Sequence, residues 1–380
     1  MITKIKGNIV VDGAVKCGAV YTENGKITAV TNEALPFDKE YDFGDSYVLP
    51  GLIDVHTHGA TGYDYSESDA SGILEAIRFQ VSCGATSILP TVTSSTIEQT
   101  CRALEQIEIA MRDEEYGKCI LGAHLEGPYF SPAQSGAQDK SLITPPVKAD
   151  YERITERFGH IIKRWDFAPE LDADGSFCAY LKAHGILPSA GHTDAKYDHM
   201  VTARENGCNL ITHFYSCMST ITREFGFRKL GVIECAYLWD DMYVEIIADG
   251  KHLPIELLQL IFKLKPHGKI LLITDSMSVS GTSDKYGRLG NLNYVIEDGV
   301  CKLLDRSAFA GSIATAEILL KVCREAGLDA AEISKMGSEN PATLFELNKG
   351  VLREGYDADI IVTDKEFNVQ HVFTQGECRK

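Results

Sequence analysis

Five apolar runs in this chain end in residues able to ligate a metal. They read LIDVHTHG, ILGAHLEGP, ILPSAGHTD, LITHFY and ILLITDSM, and they place His56, His58, Glu126, His192, His213 and Asp275 at the C-terminal tips of candidate strands. Few folds bring so many separate strand ends to one point. A (β/α) barrel does, and it keeps its active site on that rim. Imidazoles and carboxylates gathered there suit a divalent ion with an open coordination position.

The rest of the middle of the chain fits that architecture. Candidate strands span 52–58, 85–91, 119–126, 164–170, 185–192, 208–215, 243–250 and 269–276, with amphipathic segments such as ASGILEAIRFQVSCG and STIEQTCRALEQIEIAMRDEE between them. Eight βα units are the number a (β/α)8 TIM-type barrel needs. A doubly wound open sheet would carry one crevice at a switch point, not ligand types on strands one, three, five, six and eight. Residues 281–305 read as an inserted loop and hairpin after strand eight. The two ends are β-rich, with NG and DG turns between short alternating runs. The expected organisation is a barrel over 50–346 and a small β-sandwich domain built from 1–49 and 347–380.

Composition narrows the partners. The formal net charge of -17 argues against nucleic acid and anionic membranes, though a local basic pocket can still bind a small anion. Eleven cysteines without a CxxC pair fit reduced thiols in a cytoplasmic enzyme rather than a disulfide framework. The start, MITKIKGNIVVDG, lacks the apolar core of a signal peptide. No run approaches the roughly 18 apolar residues of a membrane span. A cytoplasmic location is expected.

Each tip residue has a plain alternative. His56 and His58, two apart on a strand, share one side; alone, such a pair is often structural. Glu126 in HLEGPYF is a carboxylate that needs a partner if buried, whether a cation, a helix cap or a metal. His192 in SAGHTDA and His213 in ITHFY would each pass for a core histidine alone. Their shared register at strand ends favours ligation. Asp275 could cap a helix; beside an ion that acidifies water it would serve as a general base. His252, in IADGKHLP after strand seven, lies where it can touch substrate. His160, His184, His199, His267 and His371 sit in helical or surface contexts and carry no assigned role.

PGLIDVHTHG near residue 50 and GYDADIIVTD near the end resemble the amidohydrolase superfamily. HLEGPYF, FAPE, SAGHTDA, THFYSCM, IADGKHLP, ITDSMS and FAGS, in that order, resemble more closely its N-acetylglucosamine-6-phosphate deacetylase family, over 50–365. The resemblance implies a metal-bearing barrel beside a small β-sandwich. It implies Glu126, His192 and His213 as metal ligands, Asp275 as the catalytic aspartate, and His56 and His58 as a pair that some members keep. One or two divalent ions follow, with zinc or iron first and manganese or cobalt next. His252 and Arg223 match residues that hold a sugar phosphate, the arginine reaching in from the second subunit of a homodimer. A planar guanidinium suits phosphate. Ala137, Gln138, Ser216, Cys217, Phe309, Ala310 and Gly311 complete the implied substrate-binding set.

Two departures bear on specificity. Ser216 and Cys217 in HFYSCM stand where the family often reads HLYNAM; those positions bind phosphate through backbone N–H groups. Gln138 in SGAQ stands where many members have a histidine that polarises the acetyl carbonyl, and a glutamine amide can also donate there. The expected reaction is hydrolysis of N-acetylglucosamine 6-phosphate to glucosamine 6-phosphate and acetate in amino-sugar catabolism. Other acetamido sugar phosphates, such as N-acetylgalactosamine 6-phosphate, stay open. So does a cyclic-amide hydrolase on the same barrel, although such enzymes usually carry a carboxylated lysine where Glu126 stands here. A non-catalytic sensor on this fold would have no need of the base or of every ligand, and this chain keeps them all.

Overall fold

The computed structural model describes residues 1–380. Eight parallel strands follow one another in chain order around a barrel. They are β1 (Leu52–Thr57), β2 (Ala85–Thr93), β3 (Ala123–Glu126), β4 (Ile162–Phe167), β5 (Leu187–Ala190), β6 (Leu210–Ile211), β7 (Tyr243–Ile247) and β8 (Ile270–Ile273). The ring closes where the chain leaving β8 meets the end of β1. The Asp275 N–H donates to the His56 carbonyl at 2.9 Å, and the His58 N–H donates to the Ser276 carbonyl at 2.8 Å. Barrel closure and the placing of three candidate site residues therefore use the same backbone bonds. The expected (β/α)8 barrel is present.

Alternation along the strands decides which side chains face the axis. On β3 and β4, Leu125, Trp165 and Phe167 join a 68-residue core between the barrel and its helices. Their neighbours His124, Glu126, Arg164 and Asp166 are buried on the opposite side. The first helices show how the outer layer is set. α1 (Ala70–Ser82) starts at Asp69, whose side chain accepts the Gly72 N–H. α2 (Ile97–Ala110) starts with a reciprocal Thr96 and Gln99 capping box. Ile73, Ile77, Leu104 and Ile107 pack inward from them. Each such fully buried side chain contributes about 1.5–3 kcal/mol. Inside the barrel a nine-residue apolar cluster includes Ile53, Leu89, Leu210, Tyr243 and Leu271.

The two ends of the chain meet in one seven-stranded sheet, formed by strands between Thr3 and Pro50 and between Ile360 and Cys378. It has its own core, including Ile5, Val20, Val48, Ile360 and Phe373. Buried Lys349 ties this sheet to the barrel: its Nζ donates to Asp359 Oδ2 at 2.7 Å and to Ser87 Oγ on β2 at 2.9 Å.

Two local features depart from the sequence reading. The insertion after β8 is larger than a loop and hairpin. Tyr286–Leu289, Leu292–Glu297, Val300–Leu303 and Phe309–Ser312 form a four-stranded antiparallel sheet. Its apolar side packs on Met277 and Ala137, so it roofs one side of the barrel mouth. The strands leading to His192, His213 and Asp275 also end early, at Ala190, Ile211 and Ile273. Those three residues stand on the turns just beyond, with φ of 44°, 26° and 48°. Left-handed backbone at non-glycine positions costs of order 1–3 kcal/mol each and tends to cluster at functional sites.

Candidate metal centre

Six side chains from five strand ends converge on one spot. Glu126 Oε1 is 3.1 Å from His192 Nε2, 3.3 Å from His213 Nε2 and 3.5 Å from His56 Nε2. The two nitrogens of His192 and His213 are 3.1 Å apart. The other oxygen, Glu126 Oε2, is 3.4 Å from His58 Nε2. Asp275 Oδ1 is 3.2 Å from His58 Nε2 and 3.6 Å from His56 Nε2. All six residues are buried.

These groups fit a metal. Metal–nitrogen bonds of about 2.0–2.1 Å in tetrahedral geometry put neighbouring ligand atoms about 3.3 Å apart. The separations among Glu126, His192 and His213 match that edge length. His56 Nε2 is buried and has no hydrogen-bond partner, a costly arrangement unless something binds it. Two ligand groups result, Glu126 with His192 and His213, and Glu126 with His56 and His58, sharing one carboxylate. A third grouping of His56, His124 and Asp166 lies deeper. Arg164 donates to Asp166 Oδ1 at 2.8 Å there, so a cation would meet a guanidinium. That grouping does not fit an ion.

Charge and burial act in opposition here. Burial would raise the pKa of Glu126, but hydrogen bonds from His192 and His213 and the nearby charge of His56 outweigh it and hold the carboxyl well below the usual range. Asp275 follows the same pattern: burial opposes, and the bond from His58 with the charges of His56 and His58 keeps it low. Burial pulls the imidazoles of His56 and His58 down, while Glu126, Glu245 and Asp275 raise them above 6.5. For His192, burial is outweighed by Cys217 and Glu126, and the pKa again rises.

A pH dependence follows. Raised imidazoles carry protons near neutrality in the metal-free protein, and ligation requires their loss. Metal uptake at pH 7 should release protons, and affinity should climb with pH. The raised imidazoles stabilise the metal-free fold fully below about pH 6.5, and that contribution fades as pH rises through their folded values. The gap in Tm between loaded and metal-free protein should therefore widen from pH 6 to pH 8. Thermal scans across that range check it; a constant gap would refute it.

The cluster opens into a cavity of about 220 Å³, lined by His58, Glu126, His192, His213 and Asp275. Its wall also contains Ala137, Gln138, Ser216, Cys217, His252, Phe309, Ala310 and Gly311. His252 Nδ1 lies 2.8 Å from Asp249 Oδ2, and its ring meets Phe309 edge-on at 5.0 Å. Gln138 is held at both ends. Its Oε1 accepts from Thr93 Oγ1 at 2.9 Å and the Ser94 N–H at 3.2 Å, and its Nε2 donates to Glu126 Oε2 at 2.7 Å. One N–H of the amide remains for other use. Gly136 explains the close approach of the neighbouring loop: at φ 53°, a Cβ there would sit 2.4 Å from Cys217 Sγ and 3.3 Å from the His192 ring. Arg223 is not in the cavity. It lies exposed on a hairpin of Thr222–Glu224 and Phe227–Lys229.

The strand-tip reading passes over the floor of this site. His124, Arg164, Asp166 and Glu245 are fully buried just beneath it. Burial and the charge of Arg164 push His124 down to about 4, so its imidazole is neutral. Arg164 keeps Asp166 and Glu245 low against the effect of burial. The signal was present: charged residues in IKRWDF and YVEII interrupt otherwise apolar strands.

The chain belongs to the amidohydrolase family, whose model matches residues 47–378. This is a metal-dependent family, in agreement with the clustered ligand types. Within it, the chain is similar to N-acetylglucosamine-6-phosphate deacetylases. It is 32% identical over 371 residues to that of Bacillus subtilis (strain 168), covering 95% of this chain and 92% of the relative. It is 28% identical over 355 residues to that of Homo sapiens, covering 90% and 85%. Among solved structures, a mutant N-acetyl-D-glucosamine-6-phosphate deacetylase from Mycobacterium smegmatis, in complex with N-acetyl-D-glucosamine-6-phosphate, superposes with a TM-score of 0.92 at 25% identity, covering 100% of this chain and 99% of that one. The enzyme from Thermotoga maritima gives 0.89 at 30% identity, with the same coverage.

Proposed function

We propose that this chain is an amide hydrolase that removes the acetyl group from N-acetylglucosamine 6-phosphate, giving glucosamine 6-phosphate and acetate. The observation that carries the reading is the convergence of Glu126, His192, His213, His58 and Asp275 on one cavity, with His56 Nε2 close to Glu126 and Asp275. Glu126, His192 and His213 would hold one divalent ion, and His56 and His58 with Glu126 a second. Zinc or iron suits this donor set best, with manganese or cobalt next. Such an ion supplies Lewis acidity, polarising the acetyl carbonyl and lowering the pKa of water from 15.7 to about 7.

The chain's own residues supply the rest. Asp275, held ionised by its histidine neighbours, takes a proton from the attacking water and delivers it to the departing nitrogen. The free N–H of Gln138 can donate to the developing oxyanion. Asp249 steadies His252 at the wall, where it contacts the sugar phosphate. No lysine lines the cavity, which disfavours a cyclic-amide hydrolase with a carboxylated lysine.

The cavity wall also contains no arginine, yet a phosphate needs a cation. We assign that charge to Arg223 of the partner subunit in a homodimer, alongside the backbone N–H of Cys217; that of Ser216 already donates to the His213 carbonyl at 2.9 Å. The hairpin carrying Arg223 exposes Phe225 completely and Phe227 by 75%. Apolar surface of that kind marks a contact site. No helix is long and apolar enough to cross a membrane, and the proposed compartment is the cytoplasm.

The test is acetate release by metal-supplemented protein from N-acetylglucosamine 6-phosphate, its galactosamine epimer and unphosphorylated N-acetylglucosamine. Rapid turnover of the first is expected. Arg223→Ala should raise KM for it without changing the slow rate on the unphosphorylated sugar. Silence on all three substrates by metal-loaded protein would overturn the assignment.

A further inference from the structure

Directly beneath the candidate metal centre one layer of the barrel interior is charged, where such barrels are usually filled by branched apolar side chains. Arg164, on β4, lies between two carboxylates. It donates through Nη1 to Glu245 Oε1, and through Nη2 to Asp166 Oδ1 at 2.8 Å and Thr212 Oγ1 at 3.0 Å. Asp166 has a further partner in Ser189 Oγ, and its Oδ2 lies 3.0 Å from His124 Nε2 without hydrogen-bond geometry. A pair serving only as internal glue could stop there.

Glu245, in the middle of β7, does not stop there. Its second oxygen, Oε2, is 3.4 Å from His56 Nδ1 and accepts the His213 backbone N–H at 3.3 Å. The opposite nitrogen of the same ring, His56 Nε2, is the one that is buried without a hydrogen-bond partner and faces Glu126 and Asp275. A carboxylate on one ring nitrogen and an unpartnered nitrogen on the other is how a ligating histidine is held in orientation and tautomer.

We propose that Glu245, charge-compensated by Arg164, is a positioning residue that makes His56 a metal ligand: it accepts a hydrogen bond from Nδ1–H and so presents the Nε2 lone pair to the site. This rests on the metal-site reading above. Arg164 has its own part. Its Nη1 takes Oε1 and its Nη2 also reaches Oε2 at 3.3 Å, and this fork fixes the carboxylate with Oε2 turned to the imidazole. In Glu245→Gln the arginine keeps the amide oxygen, and the NH2 group faces His56. The imidazole must then accept at Nδ1 and carry its proton on Nε2, where it blocks ligation. Glu245→Asp keeps the charge beside Arg164 but withdraws by one methylene from His56.

The experiment is Co2+ titration of metal-free full-length protein, followed by calorimetry and visible absorption, for wild type, Glu245→Gln, Glu245→Asp, His56→Gln and the His56→Gln/Glu245→Gln double variant. Loss of an outer partner of a ligand typically weakens metal binding about 10- to 100-fold. Both Glu245 variants should weaken one equivalent by that factor and the other, held by Glu126, His192 and His213, by much less, since Oε2 reaches that site only through the His213 backbone N–H. In the His56→Gln background, Glu245→Gln should add nothing to the loss at the first equivalent, which a merely structural role would not produce. Glu245→Asp keeps the test open if the glutamine variant does not fold. Wild-type affinity in both variants, parallel loss of both equivalents, or additivity with His56→Gln would each overturn the proposal alone. A single wild-type equivalent indifferent to His56→Gln overturns it too. A wild type that takes up no Co2+ overturns the metal reading and this assignment together.

Discussion

Asp275→Asn is expected to lower kcat by about 10²- to 10⁴-fold, the range for losing a positioned acid–base group, with KM nearly unchanged. The side chain is buried at the cavity, with Oδ1 3.2 Å from His58 Nε2 and 3.6 Å from His56 Nε2. Asparagine preserves shape and hydrogen-bonding reach but cannot accept the water's proton. Because the carboxylate also borders the ligand set, the assay needs metal analysis beside it. Activity lost with metal content intact marks a base; activity lost in step with metal marks a ligand. The pH profile gives a second readout. A base must be deprotonated to act, so activity falls as pH drops through its pKa, which the neighbouring imidazoles hold below the usual carboxylate range. That low acid limb should vanish in Asp275→Asn. Near-normal turnover in the variant would remove Asp275 from the mechanism.

What was legible in the sequence is what a short window of residues determines. Eight apolar runs separated by amphipathic segments identify the barrel strands, because each run must be buried on both faces. Ligand types at their ends identify the rim. The exact strand ends were not legible: His192, His213 and Asp275 stand on left-handed turns, and nothing in GHT, THF or TDS announces a positive φ at a non-glycine residue. The roof over residues 286–312 reads as a loop and hairpin because its strands are short and broken by turns such as EDG, and what stabilises it as a sheet is contact with Met277 and with Ala137, the latter far away in sequence. Gln138 shows the same limit. SGAQ suggests a donor near substrate, whereas its hold on Glu126 Oε2 depends on Thr93 and Ser94 from another strand. The charged floor left a trace only as out-of-place charges on β4 and β7, and the pairing that explains them joins residues 81 positions apart.

That floor carries the largest stability prediction. Arg164→Met should destabilise the metal-free protein by about 3–5 kcal/mol at pH 7, the cost of leaving buried charges without their partner. Arg164 is completely buried and serves both Asp166 and Glu245, so the variant strands two carboxylates. Methionine fills much of the volume, which keeps the cavity contribution small and isolates the charge. The pH dependence fixes the cause. In the wild type both carboxyls lie below their ordinary values, so their contribution is present above the unfolded pKa and lost as pH falls. Without the guanidinium, burial dominates and raises them. Their contribution is then present at low pH and lost as pH rises through the new folded values. The difference between wild type and variant should therefore be widest near neutrality and shrink towards pH 4, as measured by urea denaturation at both pH values. Arg164→Lys keeps a charge but not the fork that reaches Glu245, Asp166 and Thr212 together, and should fall between the two. A pH-independent difference below about 1 kcal/mol would mean that the two carboxylates do not depend on Arg164, and that His124, Ser189 and the backbone N–H groups already satisfy them.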